Sequence, residues 1–375
     1  MDGRLVSNRL GDTFIHESHY KLDHQHGLVP ILFSEPLEVL ARWAGEARLP
    51  AMQAGNLVFL DTETSGLAGG TGTYAFMVGA GRFEADGFHL AQYFMRDPAE
   101  ESALLEGLAE FLAPASAMVT YNGKAFDAPL LKTRYRLHHM PVPFQDDVHI
   151  DLLPLARRLW RDRLPSRSLK YIEENVLGAP RDSQEVPGYE IPYLYFDYLR
   201  SGDARPLEGV FYHNAMDIVA LAALFNHVNH MLVDPLSESI EHGLDRIALA
   251  RLFEDIHQWD QAAQIYERGL QQGLAEADFS QAVRRLSILQ RRRGDLQAAR
   301  TLWEKAAAAG HVYAHIELAK DFEHRQRDPA AARDWALSAQ ALIQANSEMP
   351  DYMRSHWLSE VDHRLERLEK KVKDG

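Results

Sequence analysis

The chain has 375 residues, no cysteine and a formal net charge of −14. This length predicts two or three domains, and 46% hydrophobic residues is typical of a globular protein rather than a disordered or disulfide-stapled one. The lack of cysteine excludes thiol catalysis, cysteine-ligated zinc and iron–sulfur clusters, and the acidic excess, which lies mainly in residues 1–236, argues against a cationic protein that coats DNA.

The first two thirds of the chain predict a mixed α/β domain over residues 55–234. An apolar run at 56–64 ends in acidic residues, as a buried strand does when it delivers side chains at its C-terminal end. Strands that come first and then alternate with helices indicate a mixed sheet flanked by helices. We expect strands at 74–83, 88–94, 117–121 and 148–150, and helices at 97–111, 126–137, 152–161 and 218–232. Residues 1–54 are expected to form an N-terminal extension packed on this domain.

Residues 237–375 predict an all-α helical-repeat domain. Proline is absent between Pro235 and Pro329, and helix-forming residues dominate. Segments around Ala262, Ala299 and Ala332 align with one another at spacings of 37 and 33 residues. These spacings are similar to the 34-residue tetratricopeptide unit, in which small residues lie where paired helices cross. We expect these repeats to bind nucleic acid or a protein partner.

Acidic residues at three places in the first domain suggest a metal site. Asp61 and Glu63 are two residues apart on a strand, so their side chains share one face. Such close carboxylates repel each other, and a cation that prefers oxygen ligands, Mg²⁺ or Mn²⁺, removes that repulsion. Asp127 follows another strand, and His213 and Asp217 lie four residues apart, on one face of a helix. Taken singly, these residues also have simpler interpretations. Asp61 and Glu63 fit a solvated strand end, Asp217 fits a carboxylate at the start of a helix, and His213 fits a surface histidine.

Together the three segments resemble a known set of motifs. Asp-x-Glu at a strand end, Asn122-x-x-x-Phe-Asp and His213-x-x-x-Asp, in this order, resemble the exonuclease motifs of the DEDD superfamily, which has a ribonuclease H-like fold. The similarity is closer still to the YprB-type bacterial branch, and it covers most of residues 1–233. It extends through the segments 64–76, 168–173, 186–192 and 195–203. Members of this branch commonly carry helical repeats after the nuclease domain.

The resemblance implies a 3′–5′ exonuclease that hydrolyses phosphodiester bonds of DNA or RNA and releases nucleoside 5′-monophosphates. It implies two divalent cations, Mg²⁺ or Mn²⁺, that clamp the attacking and leaving oxygens of the displacement. Asp61 would bridge both ions, Glu63 and Asp217 would complete the first site, and Asp127 would hold the second through water. His213 would orient or deprotonate the attacking water.

The last motif departs from the superfamily pattern. One branch of the superfamily has histidine five residues before the final aspartate, and another has tyrosine four before it. Here Tyr212 is five before Asp217 and His213 is four before it. On a helix, a residue four positions away lies ~40° around the axis and one five away lies ~140°. Helical geometry therefore favours His213 as the catalytic partner, with Tyr212 as the alternative.

Further residues are candidates for substrate contact. The segment 66–72 is rich in glycine but lacks the Gly-Lys-Ser/Thr ending of a phosphate-binding loop, so it fits a turn or a close backbone approach to a terminal nucleotide. The basic stretch 157–170 fits a solvated face or a contact with phosphates. The predicted substrate-binding residues are Thr62, Thr64, Gly66, Asn122, Lys124, Phe126, Arg167 and Lys170.

Two other clusters of side chains are weaker candidates for a binding site. A second basic group spans Arg284 to Arg293 on the repeats, where a solvated face is the simpler interpretation. His16, His19, His24 and His26 lack the spacing of a helical ligand pair, which favours polar surface over zinc binding.

The N-terminal residues lack the pattern of a signal peptide, and no apolar run approaches 18 residues. A cytoplasmic protein without a membrane contact is therefore expected.

Two functions remain open for this chain. The first is the metal-dependent exonuclease, with a single-stranded 3′ end of DNA or RNA as the favoured substrate. The second is a non-catalytic scaffold in which the nuclease fold is vestigial. The intact set of four carboxylates favours the enzyme, because clustered negative charges without a metal are costly to maintain.

Overall fold

The computed structural model describes residues 2–66, 72–144, 148–347 and 349–373. The chain divides into two compact units, Met1–Pro235 and Leu236–Gly375. The first unit is a mixed α/β domain and the second is all-helical, which confirms the predicted fold class.

A seven-stranded mixed sheet forms the centre of the first unit, with strand order β1-β2-β7-β6-β5-β8-β9. Central strand β5 runs antiparallel to β6 and parallel to β8. The strands of the sheet are β1 (Arg4–Asn8), β2 (Gly11–Tyr20), β5 (Leu57–Thr64), β6 (Ala75–Phe83), β7 (Phe88–Phe94), β8 (Ala117–Thr120) and β9 (Val148–Asp151). A separate two-stranded sheet consists of β3 (Gln25–His26) and β4 (Val29–Pro30).

Helices pack around this sheet. They are α1 (Glu38–Ala44), α2 (Glu101–Leu112), α3 (Asp127–Leu137), α4 (Leu152–Trp160), α5 (Leu169–Asn175), α6 (Ile191–Ser201) and α7 (Glu208–Val233). Helix α7 packs on β5 and β6. The segment Arg205–Val233 is long and apolar enough to cross a membrane, but 72% of its apolar window is buried inside the unit. It is therefore accounted for as a core helix of the α/β domain.

The sequence did not predict β1 and β2. Both strands belong to the central sheet, since β2 pairs with β7 from Phe14 opposite Phe94 to Tyr20 opposite Phe88. The segment 4–20 therefore extends the sheet rather than only packing against it. The reason is that β2, which lies between β1 and β7, is half exposed. Exposed or partly exposed residues alternate with the buried Thr13 and Ile15 and weaken the apolar signal.

The second unit consists of helices that pack on their neighbours in sequence. Its helices are α8 (Gly243–Asp255), α9 (Trp259–Leu270), α10 (Glu276–Arg292), α11 (Leu296–Ala308), α12 (Val312–Asp321), α13 (Pro329–Ala345) and α14 (Asp351–Lys373). The three alanines that align in the sequence, Ala262, Ala299 and Ala332, are all fully buried. Small buried residues at these positions suit close helix packing, while the tetratricopeptide type of the repeats stays a prediction.

Candidate active site

The site begins at the C-terminal end of β5, where Asp61 approaches α7. Asn214 on α7 donates a hydrogen bond from Nδ2 to Asp61 Oδ2 over 3.1 Å. Gly79 of β6 lies opposite Asp61, and a Cβ atom there would be 2.2 Å from Asn214 Oδ1. Gln92 in turn donates to Asn214 Oδ1 over 3.0 Å and to the Phe211 carbonyl over 2.8 Å. Because Gly79 has no side chain, α7 can pack closely on β6. The buried amides of Asn214 and Gln92 then fix the orientation of the Asp61 carboxylate.

Burial and mutual repulsion raise the pKa values of the acidic side chains. Burial is the largest cause for Asp61, whose pKa lies well above its usual value, and the charges of Asp217, Glu63 and Asp127 raise it further. Burial raises the pKa of Glu63 to about 7, although the charge of His213 opposes the shift. Burial also raises the pKa of Asp127. The structure therefore brings together oxygen donors with too little compensating charge, which fits Mg²⁺ or Mn²⁺.

Asp127 is held at the first turn of α3. The Thr62 hydroxyl donates a hydrogen bond to Asp127 Oδ1. The loop before Asp127 is fastened by Asp151, whose carboxylate accepts from the backbone N–H groups of Asn122 at 2.7 Å and Lys124 at 3.1 Å. The sequence predicted Asp151 as a helix cap, and it does accept from the Leu153 N–H, but its role in shaping this loop was not predicted.

His213 lies beside the carboxylates on α7. Because the helix begins at Glu208, the residue four positions before Asp217 is fully helical and faces it, with His213 Nε2 3.5 Å from Asp217 Oδ2. The other ring nitrogen, Nδ1, lies 3.0 Å from Glu185 Oε1. Burial lowers the pKa of His213, but the hydrogen bond to Glu185 and the charges of Asp217 and Glu63 outweigh it and raise the pKa to about 9. Without cations the imidazole is therefore protonated at neutral pH.

Tyr212 points to a different partner. Its hydroxyl oxygen accepts a hydrogen bond from the Asp182 backbone N–H over 3.1 Å. Its position, five residues before Asp217 on a continuous helix, turns it away from that carboxylate. The geometry places the His213 imidazole, rather than the Tyr212 hydroxyl, beside Asp217.

Arg181 links the site to a buried ion network that was not predicted from the sequence. Its side chain is only 2% exposed, and its guanidinium pairs with Asp217 Oδ1. It also contacts Glu173 at 2.7 Å and Glu185 at 3.1 Å. His26 pairs with the far oxygen of Glu173 at 2.7 Å. Arg181 therefore places a positive charge that does not titrate near neutral pH directly beside Asp217 of the acidic cluster.

Arg181 and Glu185 lie in the irregular segment between α5 and α6. The family resemblance includes the residues that follow Glu185, but no spacing rule indicates that this loop folds back onto α7. Asn214 was likewise missed, although it is adjacent to His213. The available signal was a polar residue inside an apolar helix. Burying such a residue costs free energy unless it is hydrogen-bonded, so a buried partner could have been expected for Asn214.

Three of the predicted substrate-binding residues, Lys170, Phe126 and Arg167, differ in their surroundings. Lys170 joins the site through Glu185, 3.3 Å away, and keeps a half-exposed side chain. Phe126, next to Asp127, is 57% exposed. The guanidinium of Arg167 instead donates to the carbonyls of Leu164 and Pro165.

The glycine-rich turn is only partly described. Thr64 donates from its hydroxyl to the Gly66 carbonyl over 3.1 Å at the start of the turn. The rest of the glycine-rich segment, residues 67–71, lies outside the described residues.

Comparison with known proteins identifies the family. Residues 58–229 match the RNase_H_2 family of the RNase_H superfamily. The uncharacterized protein YprB of Bacillus subtilis (strain 168) is 35% identical over 326 residues, which are 84% of this chain and 77% of that protein. The chain belongs to the YprB family of ribonuclease H-like proteins. Membership in this superfamily indicates a nuclease that processes nucleic acid and whose fold typically uses divalent metals.

A more distant match is to a solved structure. The family B DNA polymerase from the hyperthermophilic archaeon Pyrobaculum calidifontis has 15% sequence identity and a TM-score of 0.38. The match covers 56% of this chain and 28% of the polymerase, so this chain spans about a quarter of that protein's length.

We expect the acidic site to make the stability of the fold depend on pH and on divalent metal. A carboxylate whose pKa is raised by folding stabilises the protein below its unfolded pKa, and this stability is lost as the pH rises through the folded pKa. For Glu63 this window runs from 4.5 to about 7 and corresponds to a loss on the order of 3 kcal/mol. We expect the free energy of unfolding of the metal-free protein, measured with urea, to fall across this range, and Mg²⁺ to reduce the fall. Glu63→Gln should make the fall smaller, since Asp61 and Asp127 still contribute to it. A wild-type profile that does not fall and does not respond to Mg²⁺ would contradict the electrostatic account.

Proposed function

We propose that this chain is a metal-dependent 3′–5′ exonuclease of the DEDD type that acts on DNA or RNA. The observation that carries the proposal is the buried or half-buried cluster of four carboxylates at Asp61, Glu63, Asp127 and Asp217. Two positive charges, those of Arg181 and the protonated His213, lie beside it and offset it only in part. A vestigial site would have no reason to keep this cost in free energy. Asp61, Glu63 and Asp217 would hold one divalent cation and Asp61 and Asp127 a second, Mg²⁺ or Mn²⁺.

His213 serves as the general base in this proposal. Glu185 holds the imidazole through Nδ1, which leaves Nε2 on the side of Asp217 to accept the proton of the attacking water. When bound, the divalent cations supply positive charge that favours the neutral imidazole and stabilises the charge developing on the scissile phosphate. Lys170 contacts phosphate, and the exposed Phe126 ring stacks on a base.

Two variants separate the possible general bases. His213→Ala should reduce turnover by about 10²–10⁴-fold, which is the usual contribution of general base catalysis. Tyr212→Phe should be mild, because its hydroxyl is engaged by the Asp182 backbone. Single-turnover rates on one oligonucleotide measure both variants. A collapse in Tyr212→Phe together with near wild-type turnover in His213→Ala would reverse the assignment.

The proposed exonuclease is tested with matched linear and circular single strands. A linear strand presents a 3′ terminus and should be degraded to nucleoside 5′-monophosphates, whereas the circle of the same sequence should persist. Rapid cutting of the circle would identify an endonuclease, and binding of both strands without hydrolysis would support the scaffold.

The remaining expectations follow from this function. The substrate is a nucleic acid, with a single-stranded 3′ end favoured. The helical unit, of tetratricopeptide type in this proposal, binds the nucleic acid or a protein partner. The protein acts in the cytoplasm.

A further inference from the structure

Two histidines and an aspartate meet on the central sheet away from the carboxylates. His19 on β2 pairs directly opposite His89 on β7, and their ring centroids are 4.5 Å apart. Asp86 lies in the turn between β6 and β7, three residues before His89. Residues directly opposite on antiparallel strands have Cβ atoms about 4.5–5.5 Å apart, which lets two imidazoles reach one common ligand position.

The donor atoms converge with spacings close to those of a zinc site. Asp86 Oδ1 lies 3.0 Å from His89 Nε2, and Asp86 Oδ2 lies 3.6 Å from His19 Nε2. One ligand atom from each residue falls within 4.8 Å of the others. Ligands about 2.0–2.1 Å from a tetrahedral Zn²⁺ are roughly 3.3 Å apart, so only small side-chain shifts are needed.

The surroundings leave the position open. The side chains of His19, Asp86 and His89 are 42%, 69% and 35% exposed, so that an ion can enter and water can complete its coordination. A Cβ atom on Gly87 would lie 2.3 Å from the Tyr20 carbonyl oxygen and 2.4 Å from His19 Nε2, so the glycine lets the turn approach β2 closely. Glu84 Oε2 lies 3.8 Å from His89 Nε2 and offers a further ligand, although Arg82 pairs with the other oxygen of Glu84.

The cluster is independent of the candidate active site. Across the sheet, His19 pairs with His89, His89 with Arg82, and Arg82 with Val58. Val58 lies three residues before Asp61 along β5. An offset of three residues is about 10 Å along a strand and places the side chains on the opposite face of the sheet.

We propose that His19, Asp86 and His89 bind a borderline transition-metal cation, Zn²⁺, which fastens β2 to the turn between β6 and β7. Imidazole ligands suit Zn²⁺, whereas the all-oxygen cluster around Asp61 suits Mg²⁺ or Mn²⁺. The imidazoles therefore favour Zn²⁺ over Mg²⁺ at the site of His19, Asp86 and His89. Because the ion joins a strand to a neighbouring turn, its binding adds to the stability of the folded chain.

Titration calorimetry with Zn²⁺ tests the site on the full chain, with excess Mg²⁺ present to occupy the carboxylates. The wild type should bind one Zn²⁺, and His19→Ala, His89→Ala and Asp86→Asn should each weaken binding at least about tenfold, as loss of even supporting groups does. His363→Ala, which removes an exposed histidine of α14, should bind as the wild type does. Zn²⁺ should also raise the melting temperature of the wild type but not that of His89→Ala.

Two outcomes would overturn the proposal. One is the absence of Zn²⁺ binding in the wild type, which would leave an ordinary surface ion pair. The other is unchanged binding in folded His19→Ala and His89→Ala, with circular dichroism used to establish the fold. Neither result depends on nuclease activity, so failure of this site and failure of the exonuclease proposal are distinguishable.

Discussion

Asp61→Ala should abolish metal-dependent hydrolysis while leaving the protein folded. Asp61 lies at the centre of the acidic cluster, interacts with Asp217, Glu63 and Asp127, and is oriented by Asn214. If it bridges two cations, its loss removes several kcal/mol of transition-state stabilisation, or about 10³-fold or more in rate. The measurement is the single-turnover rate of oligonucleotide cleavage in Mg²⁺ and in Mn²⁺.

The same variant should not weaken the metal-free fold at neutral pH. Burial raises the pKa of the Asp61 carboxyl, so removing it relieves repulsion within the cluster. Asp23→Ala, at an exposed position of the same unit, is the matched control and should keep full activity. Full activity in Asp61→Ala, or activity in the presence of EDTA, would show that the cluster is not the catalytic centre.

Arg181→Ala should be among the most destabilising single substitutions in the α/β unit. The Arg181 guanidinium is buried and pairs with Glu173, Glu185 and Asp217. Removing one member of a buried ion network leaves the remaining charges uncompensated, at a cost of about 3–5 kcal/mol. Urea unfolding measures the change in the free energy of unfolding, with partial recovery expected in acid as the freed carboxylates become protonated.

Two further variants make the Arg181 result interpretable. Arg181→Lys keeps the charge but not the planar set of donors that reaches three carboxylates, so it should lie between the wild type and Arg181→Ala. Arg205→Ala removes an exposed arginine paired with Asp203 and should leave stability unchanged. If Arg181→Ala and Arg205→Ala were equally stable, the buried network would not contribute to folding.

The sequence predicted the parts of the molecule whose signals are local. The apolar run before Asp61 predicted β5, and the four-residue spacing of His213 and Asp217 predicted a shared helical face. The composition changes near Pro235, where the chain divides into two compact units, while the domain bounds drawn from composition stay a prediction. In each case neighbouring residues along the chain determine the structure.

Contacts between distant segments could not be predicted in the same way. Arg181 reaches Asp217 across 36 residues through an irregular loop, and Gln92 reaches Asn214 across 122. The pairing of His19 with His89 depends on the position of β2 beside β7, which the mixed polar sequence of β2 does not indicate. These contacts follow from the tertiary fold, and they determine the charge and orientation of the side chains in the site.

The most direct test of the exonuclease proposal is mononucleotide release from a single-stranded oligonucleotide labelled at its 3′ end. In Mg²⁺ or Mn²⁺ the label should appear at once as a nucleoside 5′-monophosphate, and a 5′ label should remain on progressively shorter strands. EDTA and Asp61→Ala should both stop the release. Release of the 5′ label first, or an intact strand under every metal condition on DNA and RNA alike, would contradict the assignment of this site as a 3′–5′ exonuclease.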